Sequence, residues 1–129
     1  MKDLSNSTIF PKGNKLTENF IGDAFLEMLI LPDETFDVAV GNVTFEPGCR
    51  NNWHVHEIYQ ILLVTGGKGY YQEEGKSAQV LQEGDVLRIP AGIKHWHGAV
   101  ADSRFVHLAL TKGTTKWLDA VTDEHYNKL

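Results

Sequence analysis

The chain has 129 residues, a size typical of one domain that can bury a hydrophobic core without disulfides. Its composition, 42% hydrophobic and 22% charged, is that of a globular protein and argues against disorder. Twelve basic against 17 acidic residues give a formal charge of −5, which argues against nucleic acid as a partner. The single cysteine, Cys49, cannot form an internal disulfide, and we expect it to be a small buried filler in a turn.

The sequence shows neither a secretory leader nor a membrane span. The first eight residues lack the apolar run of about 7–15 residues that a signal peptide needs. No stretch reaches the roughly 18 apolar residues of a membrane-spanning helix. We therefore expect a cytoplasmic protein without a membrane partner.

The chain divides into a polar start and a β-rich body. Residues 1–19 contain the breakers Pro11, Gly13 and Asn14 and are predicted to be an N-terminal arm. Residues 20–129 are predicted to be a single domain, in which short apolar runs alternate with turn residues. The predicted strands cover residues 25–31, 37–46, 53–65, 69–73, 79–82, 85–89, 94–99 and 104–111. Turn signals at this density are typical of an all-β sandwich or barrel.

The C-terminal tail departs from this strand pattern. Thr114 or Thr115 can cap a helix through residues 116–121, and Thr122 can cap a further turn at residues 123–124. We therefore predict a short C-terminal helix that lies against the sheet.

The chain contains six histidines, and five of them fall in its middle part. His54 and His56 are two residues apart, so on a strand both imidazoles face the same side. Gln60 joins that face if the strand is unbroken, and His95 and His97 repeat the spacing on a later strand. Because imidazole is the commonest protein ligand for divalent transition metals, the two pairs predict a metal site inside a barrel.

Several roles stay open on the residues alone. His97 can be a ligand neighbour or a wall residue, and His107, inside an apolar strand, can be an ordinary hydrogen-bonded core histidine. Gln60 can instead bond to the backbone in the wall. His125, in the polar tail, is predicted to lie at the surface.

The charge of the predicted site depends on Gln60. A glutamine oxygen is a neutral ligand, so a divalent ion held by imidazoles and Gln60 keeps a charge of +2. This should lower metal affinity, raise Lewis acidity and favour an anionic partner such as hydroxide, an enolate, an alkoxide or cyanide. The negative charge of the whole chain therefore does not argue against an anionic small substrate.

The first histidine pair lies in a pattern that resembles motif one of the cupin superfamily. That motif is Gly, five residues, His-x-His, three or four residues, Glu, six residues and Gly. Its positions are occupied here by Gly48, His54, His56, Gln60 in place of Glu, and Gly67.

The second pair begins in a pattern that resembles motif two, which is Gly, five residues, Pro-x-Gly, two residues, His, three residues and Asn. Gly84, Pro90, Gly92 and His95 stand at these positions, and Ala99 replaces the Asn. Both resemblances together imply the cupin double-stranded β-helix, a jelly-roll barrel, over residues 20–129.

Gln60 and the residues around the histidines are similar to a subgroup of small single-domain cupins that includes the manganese-dependent hydroxynitrile lyases of bacteria. The metal ligands that this resemblance implies are His54, His56, Gln60 and His95. It also implies His107 as a general base, His97 as a residue lining the pocket, and a homodimer. Manganese is the expected metal, although the ligand set also suits Fe, Zn, Ni or Co.

The expected function is that of a metal-dependent lyase or isomerase acting on a small carbonyl or hydroxy compound, with His107 and His97 moving the proton. One alternative is a metal-dependent dioxygenase, and another is a small-molecule-binding cupin without catalysis. We expect an apolar pocket wall, and its candidates are Trp53, Trp96, Phe45, Phe105 and Leu62.

Overall fold

Strands dominate the computed structural model, which describes residues 9–129. They are β1 (Asn14–Lys15), β2 (Phe20–Ile21), β3 (Ala24–Ile30), β4 (Ala39–Phe45), β5 (Arg50–Asn51), β6 (His54–His56), β7 (Tyr59–Glu73), β8 (Gln79–Gln82), β9 (Val86–Pro90), β10 (His95–Ala99), β11 (Phe105–Lys112) and β12 (Thr115–Trp117), followed by helix α1 (Asp123–Tyr126). The helix has four residues, and no helix in the described residues is long and apolar enough to cross a membrane.

The strands pair antiparallel in the order β1-β3-β4-β11-β7-β10-β5-β2, with β6 on β10 and β12 on β6. The long strand β7 joins the two halves of the structure: its residues 59–67 pair with β11, and its residues 69–73 pair with β10. The sheet therefore curls into a half-barrel, which confirms the predicted all-β jelly-roll.

The sequence prediction was wrong about where β7 starts and ends. Residues 53–65 are not one strand, because the chain breaks at residues 57–58, whereas β7 continues through the predicted stop at Gly67. Gly67 has a φ of 72°, and a Cβ there would lie 1.7 Å from the Arg104 carbonyl oxygen. Glycine here allows close approach to a neighbouring segment instead of ending the strand.

The helix predicted over residues 116–121 is also wrong. Residues 115–117 form β12, which pairs with β6, and tertiary pairing of β-branched and aromatic residues overrides the local capping signal. The second prediction is confirmed, since the Thr122 hydroxyl accepts a hydrogen bond from the His125 amide at 3.1 Å and caps α1.

The described part of the predicted arm lies on the sheet. β1 pairs with β3, and the Asn42 side-chain amide donates to the Pro11 carbonyl at 2.9 Å. The predictions for residues 1–8 lie outside the described residues, and the domain boundary near residue 20 stays a prediction.

Two hydrophobic clusters fill the interior formed by residues 9–129. The larger fills the barrel between the sheet halves, and it includes Cys49, whose burial confirms its predicted role as a filler and raises its pKa to about 12. The smaller consists of Trp96, Val121 and Tyr126 and attaches the C-terminal segment to the outside of β10.

Candidate metal centre

The pairing of β6 with β10 brings the two histidine pairs together. His95 lies directly opposite His54 in the antiparallel register, and their ring centroids are 4.2 Å apart. His56 and His97 follow two residues along each strand, and all four rings are buried. The two-residue spacing predicted from the sequence therefore places four imidazoles side by side.

His54 and His95 are oriented as metal ligands would be. Each ring is held at Nδ1 by a backbone carbonyl, His54 by Asn52 at 2.7 Å and His95 by Ile93 at 2.8 Å. Since a carbonyl can only accept, Nδ1 carries the hydrogen and Nε2 keeps a free lone pair. Both Nε2 atoms are buried without a hydrogen-bond partner in residues 9–129. Unpaired lone pairs of this kind fit a divalent metal ion.

His56 and Gln60 are the other two predicted ligands, and they lie next to each other. His56 Nε2 is 3.0 Å from Gln60 Oε1, and Gln60 is only 7% exposed. Two atoms bound to one metal at right angles, each about 2.1 Å from it, would be about 3 Å apart. The amide oxygen of Gln60 therefore fits the place predicted for it, and the wall-to-backbone alternative for Gln60 has no support in these contacts.

A slightly different set of nitrogens is brought together as a compact triad. Ligand atoms of His54, His95 and His97 all lie within 4.8 Å of one another, so His97 offers a further nitrogen next to the predicted ligands. The assignment of His54, His56, Gln60 and His95 as ligands, with His97 beside them, stays a prediction.

His97 and His107 form a buried pair next to these rings. His107 Nε2 is 3.3 Å from His97 Nδ1, and the Asn51 side-chain amide lies 3.3–3.4 Å from the His97 ring nitrogens. Phe45 packs against both imidazoles. His107 is therefore part of the same cluster rather than an isolated core histidine.

Burial keeps the whole cluster neutral near pH 7. Desolvation lowers the pKa of His95 and of His107 to about 4, and it holds the pKa of His54 and of His97 well below the ordinary value. It also lowers the pKa of His56. Neutral imidazole is the form that binds a metal and the form that accepts a proton.

A cavity of about 340 Å³ opens beside the cluster. Five of the six predicted site residues line it, namely His54, His56, Gln60, His97 and His107, whereas His95 is not among the lining residues. The other walls are largely apolar, from Leu16, Phe20, Leu26, Met28, Val43 and Phe45. The cavity thus combines one polar face with an apolar body, as small-molecule sites commonly do.

The predicted pocket wall was mostly wrong. Of its five candidates only Phe45 lines this cavity in the described structure. Leu62 and Phe105 fill the barrel core, and Trp96 belongs to the smaller hydrophobic cluster, against which Trp53 packs. His125 was predicted to lie at the surface, whereas it is half-buried and bonded to Gln72.

Sequence reasoning missed three cavity residues that touch the predicted ligands. Trp117 was predicted to lie in a helix and Thr115 was one of its two candidate caps, whereas the strand β12 places them beside His54 and His56. Thr111 lies four residues after His107 on β11, so strand alternation alone would have placed it on the same face.

Known proteins agree with this picture. The family model described as the cupin domain matches residues 41–111. An (R)-mandelonitrile lyase of Granulicella tundricola is 38% identical over 113 residues, which is 84% of this chain and 86% of that protein. An acireductone dioxygenase of Nostoc sp. is 28% identical over 79 residues, which is 58% of this chain and 43% of that protein.

The solved structures include a cupin-like protein of Thermotoga maritima with a TM-score of 0.88 and 45% identity, covering 93% of this chain and 95% of that one. A family match over more than half of the sequence agrees with a curled barrel and with histidine pairs at both motif positions. The chain therefore belongs to the cupin family.

Proposed function

We propose that the protein is a metal-dependent lyase that cleaves a small hydroxy compound, of the hydroxynitrile type, into a carbonyl product and an anion. The observation that carries this proposal is the closeness of the unpaired Nε2 atoms of His54 and His95 to the His97–His107 pair, in a cluster that forms the polar face of a largely apolar cavity. The relative named (R)-mandelonitrile lyase supports it.

The groups that would hold the metal are His54, His56, Gln60 and His95. A divalent ion, manganese in our proposal, would supply positive charge that stabilises a developing anion, and the neutral ligands would leave that charge undiminished. The carbonyls of Asn52 and Ile93 fix the rings of His54 and His95 for this task.

His107 and His97 would move the proton. A neutral imidazole of this pair accepts the substrate hydroxyl proton, the bond between the carbinol carbon and the cyanide carbon breaks, and the carbon–oxygen double bond forms. The electron pair of the broken bond leaves with cyanide, which then takes the proton from the imidazolium. Because His107 Nε2 and His97 Nδ1 are 3.3 Å apart, one ring can stabilise the charge on the other during the transfer.

The apolar body of the cavity limits what can react. Val43, Phe45 and Met28 face the space in front of the histidines and offer no hydrogen-bonding side chain. A small substrate with an apolar substituent would fill this space and exclude water, which strengthens the electrostatic interactions at the polar face.

The decisive experiment is the substitution His107→Ala, in protein purified without a His-tag column. We expect turnover of a cyanohydrin panel to fall at least about 100-fold, as for loss of a general base, while manganese per chain stays unchanged. His125→Ala is the matched control, because His125 does not line the cavity, and it should keep full turnover. A fully active His107→Ala enzyme would show that the proton is moved by another group.

A dioxygenase is the second candidate, and the similarity to an acireductone dioxygenase favours it, although this chain spans less than half of that protein. Histidine-rich metal sites with open positions can bind an enolate together with O₂. Oxygen uptake with enolisable diketones, absent in the metal-free protein, would support this candidate over the lyase. A chain that binds such molecules without converting any of them would instead be a binding cupin.

A further inference from the structure

Two chain turns meet beside the predicted ligands. His56 and Gln60 lie on either side of the break between β6 and β7, and Thr115 and Thr111 lie on either side of the turn between β11 and β12. In the strand register Thr115 is opposite His56, and Thr111 is opposite Gln60. Each threonine therefore faces one predicted ligand.

Thr111 determines which end of the Gln60 amide faces the centre. Gln60 Nε2 donates to Thr111 Oγ1 at 2.9 Å, and Gln60 Oε1 is then directed toward His56 Nε2 at 3.0 Å. Only the oxygen of an amide can bind a metal, since the NH₂ group is a donor. A reversed amide would present two N–H groups to the metal position.

Thr115 acts on the far side of His56. Its Oγ1 is 3.0 Å from His56 Nδ1. A hydroxyl can accept from Nδ1–H when Nε2 is needed as a ligand, and it can donate to Nδ1 in the other tautomer. It holds the ring in place in both states.

The two turns are fastened to each other. The Glu57 amide donates to the Thr114 carbonyl at 2.9 Å, and the Thr114 amide donates to Glu57 Oε1 at 3.0 Å. Gly113, between the threonines, has a φ of 83°, and a Cβ there would lie 2.8 Å from Glu57 Oε1. The tight turn that glycine permits therefore fixes both threonines relative to the ligand strands.

We propose that Thr111 and Thr115 are positioning residues, which fix the Gln60 amide with its oxygen inward and the His56 ring with Nε2 inward. This inference rests on the ligand set of the proposed function. It predicts that the two hydroxyl groups, and not the threonine side-chain shapes, set the affinity for a divalent ion.

The test compares Thr111→Val and Thr115→Val in the full metal-free chain, because valine keeps the branched shape and removes the hydroxyl. Manganese affinity is measured by competition with a chromophoric chelator. We expect each variant to bind Mn²⁺ at least about tenfold more weakly, the usual effect of losing a group that orients a ligand. The serine variants Thr111→Ser and Thr115→Ser should bind like the unaltered protein.

Thr44→Val is the matched control. Thr44 is buried on β4, which supplies Val43 and Phe45 to the cavity, but its own side chain is not among the lining residues. Its Oγ1 has no hydrogen-bond partner within residues 9–129, so the same chemical change removes no bond. The variant should bind Mn²⁺ as the unaltered protein does.

A second comparison separates orientation from general damage. A carboxylate has two equivalent oxygens, so in a Gln60→Glu background the orienting bond is no longer needed. There Thr111→Val should weaken Mn²⁺ binding less than about threefold. Equal losses in both backgrounds, or valine variants that bind normally, would overturn the inference and leave the proposed function intact. An unaltered chain that binds no Mn²⁺ would overturn both.

Discussion

The Trp117 indole lies against the His54 imidazole, with ring centroids 4.6 Å apart and ring planes inclined by 39°. Trp117 belongs to β12, and it lines the cavity while remaining 38% exposed. Phe20 from the other end of the chain touches the same indole. Two aromatic residues that are distant in sequence therefore line the cavity side by side.

Removing the Trp117 indole should weaken substrate binding more than it slows the chemical step. Trp117→Ala deletes apolar wall area worth about 1–2 kcal/mol, so we expect KM for a phenyl-bearing cyanohydrin to rise about tenfold with a smaller change in kcat. Trp117→Phe should fall in between. Steady-state kinetics provide the measurement, and Lys116→Ala, an exposed neighbour on the same strand, is the control. An unaltered KM in Trp117→Ala would mean that the substrate does not reach this wall.

Arg50 holds the C-terminal segment to the barrel. Its Nε and Nη2 donate to the Val121 carbonyl at 3.0 and 2.8 Å, and its guanidinium lies over the Tyr126 ring. Nη2 is also 2.6 Å from Asp123, whose side chain is 80% exposed, whereas that of Arg50 is 5% exposed. The buried carbonyl, and not the exposed carboxylate, is thus the partner that matters for stability.

Arg50→Met should lower the free energy of unfolding by about 2–4 kcal/mol, because it leaves the Val121 carbonyl unpaired. Asp123→Asn should lower it by less than about 1 kcal/mol. Urea unfolding followed by circular dichroism compares the two. Equal losses would place the stabilising interaction in the ion pair instead.

The barrel and the histidine cluster were predictable because both depend on local signals. Strand alternation puts His54 and His56 on one face whatever the rest of the chain does, and the motif spacings relate them to His95. The predictions failed where tertiary contacts override local preference. Gly67 allows the strand to continue past Arg104, and Trp117 joins a strand because β6 offers a free edge.

The wall of the cavity could not be predicted for a related reason. Large apolar residues are equally suited to a core and to a pocket, and only the register decides between them. β11 skips one residue of β7 next to His107, so parity counted along one strand does not carry over to the next. Phe105 lies two residues before His107 on the same strand and is fully buried against Phe45, so even a shared strand face does not separate core from pocket.

Thr44→Val should stabilise the protein. The Thr44 hydroxyl is fully buried and makes no hydrogen bond within the described part of the chain. Valine has the same shape without the polar group, so the free energy of unfolding should rise by about 1 kcal/mol. Thermal unfolding is the measurement. A decrease would show that the hydroxyl has a partner in solution, such as a buried water.

The metal-free protein should lose stability as the pH falls from about 6.5 toward 4. Burial lowers the pKa of all five clustered histidines in the folded state, to about 4 for His95 and His107, while unfolding restores ordinary values near 6.5. In this window the unfolded chain binds more protons, so protonation favours unfolding, and each histidine contributes up to about 1.4 kcal/mol per pH unit.

The measurement is the Tm in EDTA at pH 7.5, 6.0 and 5.0, which should decrease at each step. His107→Gln serves as the comparison, because it removes one of the buried histidines. The slope of its unfolding free energy against pH should be smaller than that of the unaltered protein, by about the contribution of one proton. The stabilisation by Mn²⁺ should also shrink toward pH 5, since the ion competes with protons for imidazole nitrogens. A constant Tm between pH 7.5 and 5.0 would mean that the cluster takes up protons without unfolding, as it would if water reached the rings.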